Sequence, residues 1–511
     1  MIRIQSNSVV VTIKTSKYRK TIHGHLEKTG KQGVFATDAL KFQVRWNDTK
    51  IHAGLHAAEE AYIETVVLSF KYKTPKTSSE TAIWAESCAG GLFSAKMGAF
   101  NRRRGGAWAM WVAESWYAEG LFFGQAPPAK HPLWFQCHPL RQRIDITWLV
   151  NLHLSEGQEI VLSEVEISRG KNTPLVENWR KKWVSRFNEN KSLDNRKGWL
   201  WGNGIVSYRD IHERLNHLKK SKIGIDWFAI GAGYSKAIGD WLETEEGLQG
   251  RMHSISRSIS EMGIAPGLQF APYLVSLNSK IAEDNPEWLV SNEQGVPVRV
   301  KGYPNHKDKA YVLDATRPEV QQHIKEVFSV MKNRWGFRVF VLDRITDTAI
   351  LGRRADNTYT SSELIKGSMG LIRKVVGNKG LLVGMTPPLL IAPGIFDIQS
   401  LTDGMDLSFS PKALMSTVFA LIQEVTWNDR AWINASAPLP IEIFHASNNA
   451  ATGTLLRAIQ LSVGAVIFLG DPRKIDDTVQ DDMKNFLDVF KECRIGRLRI
   501  DEQRSGQENV L

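Results

Sequence analysis

The sequence predicts an α/β protein: a (β/α)8 TIM-like barrel preceded by an N-terminal β-sandwich. Three observations predict it. From residue 198 onward, eight short apolar runs alternate with amphipathic stretches, the pattern of a parallel sheet crossed by helices. Before about residue 170 the chain consists instead of short β-branched or aromatic runs divided by polar, Gly- or Lys-rich connections. And 511 residues exceed one ordinary domain.

The N-terminal region, residues 1–172, offers strands at Val9–Ile13, Lys41–Trp46, Glu64–Phe70, Ile144–Val150 and Ile160–Ile167. Thr173-Pro174 then opens a linking segment over 173–197, with Thr as helix cap and Pro at the first helical position. The barrel is expected over 198–493. Its strands are Gly198–Trp201, Ile225–Ile230, Ala265–Ala271, Val339–Asp343, Leu381–Met385, Ile395–Leu401, Ala431–Asn434 and Val466–Gly470. Helices are expected at Asp210–Leu218, Gly250–Met262, Pro318–Asn333, Ser361–Val376, Leu414–Val425 and Asp476–Cys493. A polar tail, 494–511, closes the chain. An open doubly wound sheet is disfavoured because no Gly-rich phosphate turn follows a strand.

Charge and cysteines narrow the function classes. The formal net charge is +11, but the basic residues are dispersed and only Arg102-Arg103-Arg104 forms a tight run. Without a reader motif, this argues against a nucleic-acid partner. An anionic or otherwise modified carbohydrate stays open as a partner, as does a homo-oligomer. Three cysteines, Cys88, Cys137 and Cys493, show neither metal-ligand spacing nor a disulfide framework. No apolar run reaches about 18 residues, so no membrane span is expected. Met1–Asn7 lacks a long apolar core, which makes the cytoplasm the expected location.

Chemistry in such a barrel sits at the C-terminal ends of the strands. Arg338-Val339-Phe340-Val341-Leu342-Asp343-Arg344 is an apolar run that stops abruptly at a carboxylate. Asp403 and Asp406 follow the sixth strand and Asp471 the eighth. Two carboxylates at one mouth permit glycoside hydrolysis, one attacking the anomeric carbon and the other protonating the leaving oxygen. Aspartate also caps helices at such positions, and that reading stands beside the catalytic one.

Five further segments occur in one order: Ile238-Gly239-Asp240-Trp241-Leu242, Gly263–Tyr273, Asn285-Pro286-Glu287-Trp288-Leu289-Val290, Tyr311–Asp314 with Glu319-Val320, and Phe340–Asp343. Together they resemble glycoside hydrolase family 36, the α-galactosidase family of retaining enzymes, over residues 198–440. The family's C-terminal β-domain has no counterpart in this sequence. The resemblance implies that Asp343, ending the fourth strand, is the nucleophile. It also implies a general acid/base in a Gly-x-x-Asp-x-x-Arg pattern near Gly394–Gly404. Counted without gaps, Ser400 replaces the Arg and Gly404 sits at the acid. A one-residue slip puts Asp403 there, with Asp406 second. No metal or organic cofactor is implied.

Departures from the family fall on sugar-binding positions. The Asp pair after the second strand is Gly231-Ala232, the Lys two before the nucleophile is Val341, and the Trp of the third strand is Gln269. The acidic pair after the seventh strand is replaced within Asn434–Ala437. These changes imply a sugar other than plain galactose, or a modified one. New polar and aromatic groups are candidates for holding it: Arg344, Asp347, Tyr234, Trp241, Gln269, His445 and Asp471. Each has a bland counterpart, a structural ion pair for Arg344 and core packing for Tyr234 and Trp241. Trp84, in the β-domain, is placed where related enzymes reach over the mouth. The alternative to a glycosidase is an inactive carbohydrate-binding or scaffold member of the family.

Overall fold

The computed structural model describes residues 3–15, 21–25, 27–29, 31–73, 81–86, 98–100, 112–113, 115–118, 121–127, 129–138, 143–169, 178–179, 181–183, 185, 196–201, 207–292, 294–302, 309–385, 394–400, 428, 432–446 and 449–508. Asp403, Asp406, the expected helix Leu414–Val425 and the start of the linking segment at Thr173-Pro174 lie outside them. So does the side chain of Trp84, whose backbone belongs to strand Thr81–Glu86.

Two antiparallel sheets occupy the N-terminal region. One has six strands, with Arg143–Leu154, Ala61–Lys73 and Arg3–Thr15 adjacent; the other has ten, built around Leu40–Trp46, Lys50–Ala57 and Val165–Arg169. Alternation decides which residues face inward. Along Leu40–Trp46 burial alternates strictly, so Leu40, Phe42 and Val44 enter the core while Lys41, Gln43 and Arg45 face solvent. A single cluster unites them with Leu68, Phe70, Phe135, Ile146 and Trp148 of the other sheet. Ile160–Ile167, expected as one strand, is two: Glu159–Val161 and Val165–Arg169, separated by residues that leave the ladder. Residues 178–179 and 181–183 are helical, and Trp179 and Trp183 both donate their indole N–H to Gln125 O, at 2.7 and 3.0 Å. Those bonds tie the segment between the two regions to the N-terminal sheets.

The second region is a TIM-like barrel of parallel strands: β1 (Lys197–Leu200), β2 (Trp227–Ile230), β3 (Ala265–Phe270), β4 (Val339–Leu342), β5 (Leu381–Met385), β6 (Ile398–Ser400), β7 (Ile433–Ala435, continued by Leu439–Pro440) and β8 (Val466–Leu469). Every expected strand has its counterpart within three residues at either end. β7 closes the ring: its first part pairs with β6, its second with β8, and Ala435 bridges to Ala465. All four residues of β2 and of β4 are buried, as both faces of a parallel strand must be.

Two layers of core result. The inner cluster contains Leu200, Trp227, Ala229, Val339, Val341, Val383, Ile398 and Ile467, alternate residues that point to the barrel axis. Two glycines make that interior possible. A Cβ on Gly198 would meet the Trp227 ring at 1.9 Å, and one on Gly267 would meet Ala229 and Val339 Cβ at 3.0 Å. The other parity, Phe228, Ile230, Leu268, Phe270, Phe340 and Leu342, packs outward under the helices. Those helices are α1 (Tyr208–Ser221), α2 (Met252–Glu261), α3 (Pro318–Ser329), α4 (Ser361–Val376), α5 (Ala450–Ser462) and α6 (Asp477–Glu508). α4 starts on a capping box, Thr360 with Glu363.

Three features differ from expectation. α5 was not anticipated, because its stripe is masked by the small residues Ala450, Ala451, Gly453 and Ala458. α6 does not end at Cys493 but continues to Glu508, taking up most of the expected tail. And among the described residues seven of the 17 tryptophans are fully buried, so these seven serve the core rather than a sugar platform.

Candidate active site

Asp343 stands at the mouth of the barrel. Its backbone N–H donates to Phe270 O at 3.1 Å, which extends the β3–β4 ladder by one residue beyond Leu342. Val339 and Val341 belong to the inner cluster, so alternation carries Asp343 to the same face, toward the axis. The side chain is half-buried. Its Oδ1 accepts the Arg344 N–H at 2.8 Å. The chain then turns sharply, with Arg344 in the left-handed region at φ 54°.

That turn starts a 3-10 segment, Ile345–Ala349, which holds Asp347 beside the mouth. Arg344 Nη2 lies 2.5 Å from Asp347 Oδ2. The contact brings the two charges together without the angle of a hydrogen bond, and Oδ2 has no hydrogen-bond partner among the described residues. Arg344 Nη1 donates to Lys301 O at 2.7 Å. The guanidinium therefore ties the turn after β4 to the 301–302 segment, in the structural role weighed above. Burial raises the Asp347 pKa, Arg344 opposes that rise, and the charge of Asp343 adds to it. Asp343 and Asp347 thus sense each other electrostatically.

Gln269 is buried at 7% exposure and lies opposite Val341 on the neighbouring strand. It follows Gly267 on the inward face, one layer below Asp343. Val341 is fully buried in the inner cluster, and Ala232 and Asn434 are buried too. Asn434 Oδ1 accepts the Trp432 indole N–H at 2.5 Å. The positions where charged groups were expected to be missing are occupied by packed, mostly apolar side chains.

The structure places four of the expected substrate contacts as follows. Tyr234 and Trp241 follow β2, but both are fully buried in the layer between barrel and helices. Trp241 packs on Phe270, ring centroids 5.3 Å apart, and Tyr234 sets its edge against Trp335 at 6.3 Å. Neither the Tyr234 hydroxyl nor the Trp241 N–H has a hydrogen-bond partner among the described residues. Aromatic residues after a strand satisfy either a mouth or a core, and here the core took them. His445 is exposed on the 3-10 segment Ile441–Ala446, and its nearest acidic group is Asp476, 3.9 Å away. Asp471 caps the turn Pro472–Lys474 and pairs with Arg214 at 2.9 Å and Arg473 at 2.7 Å. These bonds fasten the chain after β8 to α1, which is the capping role.

Arg354 is a residue of this region that sequence reasoning missed. It donates to Gly352, Thr348 and Ile350 carbonyls and so supports the turn beyond Asp347 from below. Its only signal in the sequence is a pair of adjacent arginines. Asp397, at the start of β6, is held by Arg373 Nη2 at 2.5 Å and by Leu382 N at 2.7 Å, which makes it a base-of-barrel tie. Among the described residues, no group of three or more metal-binding side chains occurs. Among the described residues, no helix is long and apolar enough to cross a membrane.

Comparison with known proteins places this geometry. The Melibiase family model matches residues 213–345, a span that ends two residues past Asp343. An α-galactosidase of Geobacillus stearothermophilus is 24% identical over 198 residues, covering 36% of this chain and 26% of that protein. One of Lactobacillus acidophilus is 26% identical over 151 residues, 28% of this chain and 20% of that protein. The matches thus span about a quarter of those relatives' length or less. Among solved structures, an α-galactosidase from Thermus thermophilus in complex with stachyose gives a TM-score of 0.62. It is 15% identical, with 89% of this chain and 99% of that one covered. The Geobacillus stearothermophilus enzyme gives 0.56 at 13% identity, over 97% and 74%. At such identities the structural likeness is one of fold.

Proposed function

We propose that this chain, a glycoside hydrolase family 36 α-galactosidase-like protein, hydrolyses or transfers an α-glycosidic bond on a modified or non-galactose sugar, with Asp343 as nucleophile. The observation that carries the proposal is the placement of Asp343. It is the inward-facing residue where the inner face of β4 passes from apolar core to barrel mouth.

The reaction runs in two steps. The Asp343 carboxylate attacks the anomeric carbon, and the bond to the leaving oxygen breaks as that oxygen takes a proton from a general acid. Asp403 is proposed as that acid, with Asp406 as the alternative. Water then attacks the glycosyl ester, giving its proton to the same residue as base, and Asp343 is released as carboxylate. In transfer, a sugar hydroxyl takes the place of water.

Substrate choice follows from the groups that the resemblance implies and this chain lacks. Val341 and Ala232 stand where charged groups would grip galactose hydroxyls, and both are buried. Each hydrogen bond a sugar hydroxyl fails to recover costs about 0.5–1.5 kcal/mol. Over the four departures, roughly 2–6 kcal/mol of galactose recognition is lost. A sugar whose corresponding positions are deoxygenated, acylated or otherwise apolar avoids that cost.

A panel of aryl α-glycosides, including N-acetylated, deoxy and uronic acid sugars beside galactose, tests the proposal with wild type and Asp343→Asn. The expected result is turnover of at least one modified glycoside, poor turnover of the α-galactoside, and loss of both in the variant. Turnover equal in wild type and Asp343→Asn removes the mechanism. Binding without turnover on the whole panel supports the non-catalytic, carbohydrate-binding alternative.

A further inference from the structure

A polar pocket of about 260 Å³ opens among the loops beyond β3 and β4. Arg317, Arg353 and Arg354 line it, together with Asp314, Glu287 and Ser291. Three guanidinium groups therefore meet two carboxylates. One of those carboxylates is already committed. Asp314 is buried; its Oδ1 accepts from Thr316 N at 3.0 Å and Oγ1 at 2.7 Å, and its Oδ2 from Ala355 N at 2.6 Å. Glu287 is exposed at the rim.

Arg354 gives Nη1 and Nη2 to the Gly352, Thr348 and Ile350 carbonyls, but the pairing of the arginines is otherwise incomplete among the described residues. Arg317 Nε comes only within 3.8 Å of Asp314 Oδ2, too far for a hydrogen bond. Among the described residues, the Nε atoms of Arg317 and Arg354 are both buried without a hydrogen-bond partner. Among the described residues, no carboxylate lies in ion-pair contact with Arg353 or Arg354. Leaving buried charged donors unsatisfied is costly, and a pocket that does so has a use for them. The frame is also fixed. Arg353 N donates to Ser291 O at 2.6 Å and Ser291 N to Arg353 O at 3.2 Å, so two walls of the pocket are joined by a bridge.

We propose that this pocket binds an oxyanion, a phosphate or sulfate group, clasped by the guanidinium groups of Arg317 and Arg353, with Arg354 adding its charge from the pocket wall. Planar guanidinium forks match tetrahedral oxyanions, and several converging forks exclude neutral ligands. The volume exceeds that of a bare ion and accommodates a sugar ring attached to it. The pocket shares its loops with the candidate active site, through Arg354 under Thr348 and through the 289–302 segment whose end Arg344 holds. Its occupancy is nevertheless independent of whether Asp343 is a nucleophile.

Calorimetric titration of the full chain tests it, with inorganic phosphate, a hexose 6-phosphate and the neutral hexose as probes at matched ionic strength. The expected result is saturable binding of a phosphate-bearing probe but not of the neutral hexose. Arg353→Gln and Arg317→Gln should each weaken it about tenfold or more, the loss of one charge-assisted contact. Arg353 is exposed, so that variant keeps its fold, checked by an unchanged urea midpoint. Equal tightness for inorganic phosphate and hexose phosphate assigns the site to the free ion; tighter hexose phosphate assigns it to a sugar phosphate. Absence of saturable phosphate binding, or binding unchanged in both variants, overturns the proposal.

Discussion

Arg344→Ala should destabilise the barrel by about 2–4 kcal/mol, and Arg344→Gly by less. Two contacts are lost. The bond from Nη1 to Lys301 O, 2.7 Å long, is charge-assisted and contributes about 1.5–3 kcal/mol. The Asp347 contact joins side chains 25% and 20% exposed, so screening reduces it to about 0.5–1 kcal/mol. The backbone then separates the two variants. At φ 54° a residue with a Cβ carries about 1–2 kcal/mol of strain, which glycine does not. Glycine loses about 0.5–1 kcal/mol of that advantage to its freer unfolded chain. Arg344→Gly should therefore be the more stable variant by about 0–1.5 kcal/mol. Equilibrium urea unfolding of the three proteins reads both differences. An Arg344→Ala variant within about 0.5 kcal/mol of wild type, or a glycine variant less stable than the alanine one, would refute the reasoning.

Three further outcomes follow from single residues. With Arg344 removed, Asp347 loses the charge that offsets its burial, and its pKa rises further above 3.8. The folded state then holds protons more tightly than the unfolded one, so Arg344→Ala should lose stability more steeply than wild type as pH rises above 3.8. His131, buried and without ring hydrogen bonds, has its pKa lowered by burial to about 4 from 6.5. The unfolded chain binds that proton first, so stability should fall by about 3 kcal/mol from pH 7 to pH 4, at roughly 1.36 kcal/mol per unit; the pH slope of the urea midpoint should flatten in His131→Leu, and an unchanged slope counts against a neutral buried imidazole. Tyr234→Phe removes a buried hydroxyl without a partner and should leave stability unchanged or higher, with the KM for any turned-over glycoside unaltered; a raised KM would return Tyr234 to the sugar site.

The barrel was legible because parallel strands buried on both faces read as apolar runs, and Trp227–Ile230, Val339–Leu342 and Val466–Leu469 are such runs. β7 was the least legible. It is split between two neighbours, and neither Ile433–Ala435 nor Leu439–Pro440 is long enough to announce a strand alone. The site was legible in one respect, the step from Val341 through Leu342 to Asp343, where an apolar alternation meets a carboxylate. Depth was not legible. Tyr234, Trp241 and Gln269 all follow or end strands near the mouth, yet the first two turn under the helices while Gln269 faces the axis. Nothing in residue type distinguishes them; strand parity and register place Gln269, and the course of the chain after β2 places Tyr234 and Trp241. Asp471 shows the other difficulty, since an aspartate after a strand serves a cap and a catalyst equally well until Arg214 and Arg473 are seen on it.

Trapping the intermediate tests the central claim most directly. A 2-deoxy-2-fluoro α-glycoside of the sugar that turns over, carrying a good leaving group, should leave one glycosyl unit on the protein by intact mass. Peptide mapping should place it on the segment holding Asp343, with no adduct in Asp343→Asn. An adduct on another carboxylate, or turnover of the parent glycoside with inversion and no adduct, would contradict Asp343 as the nucleophile.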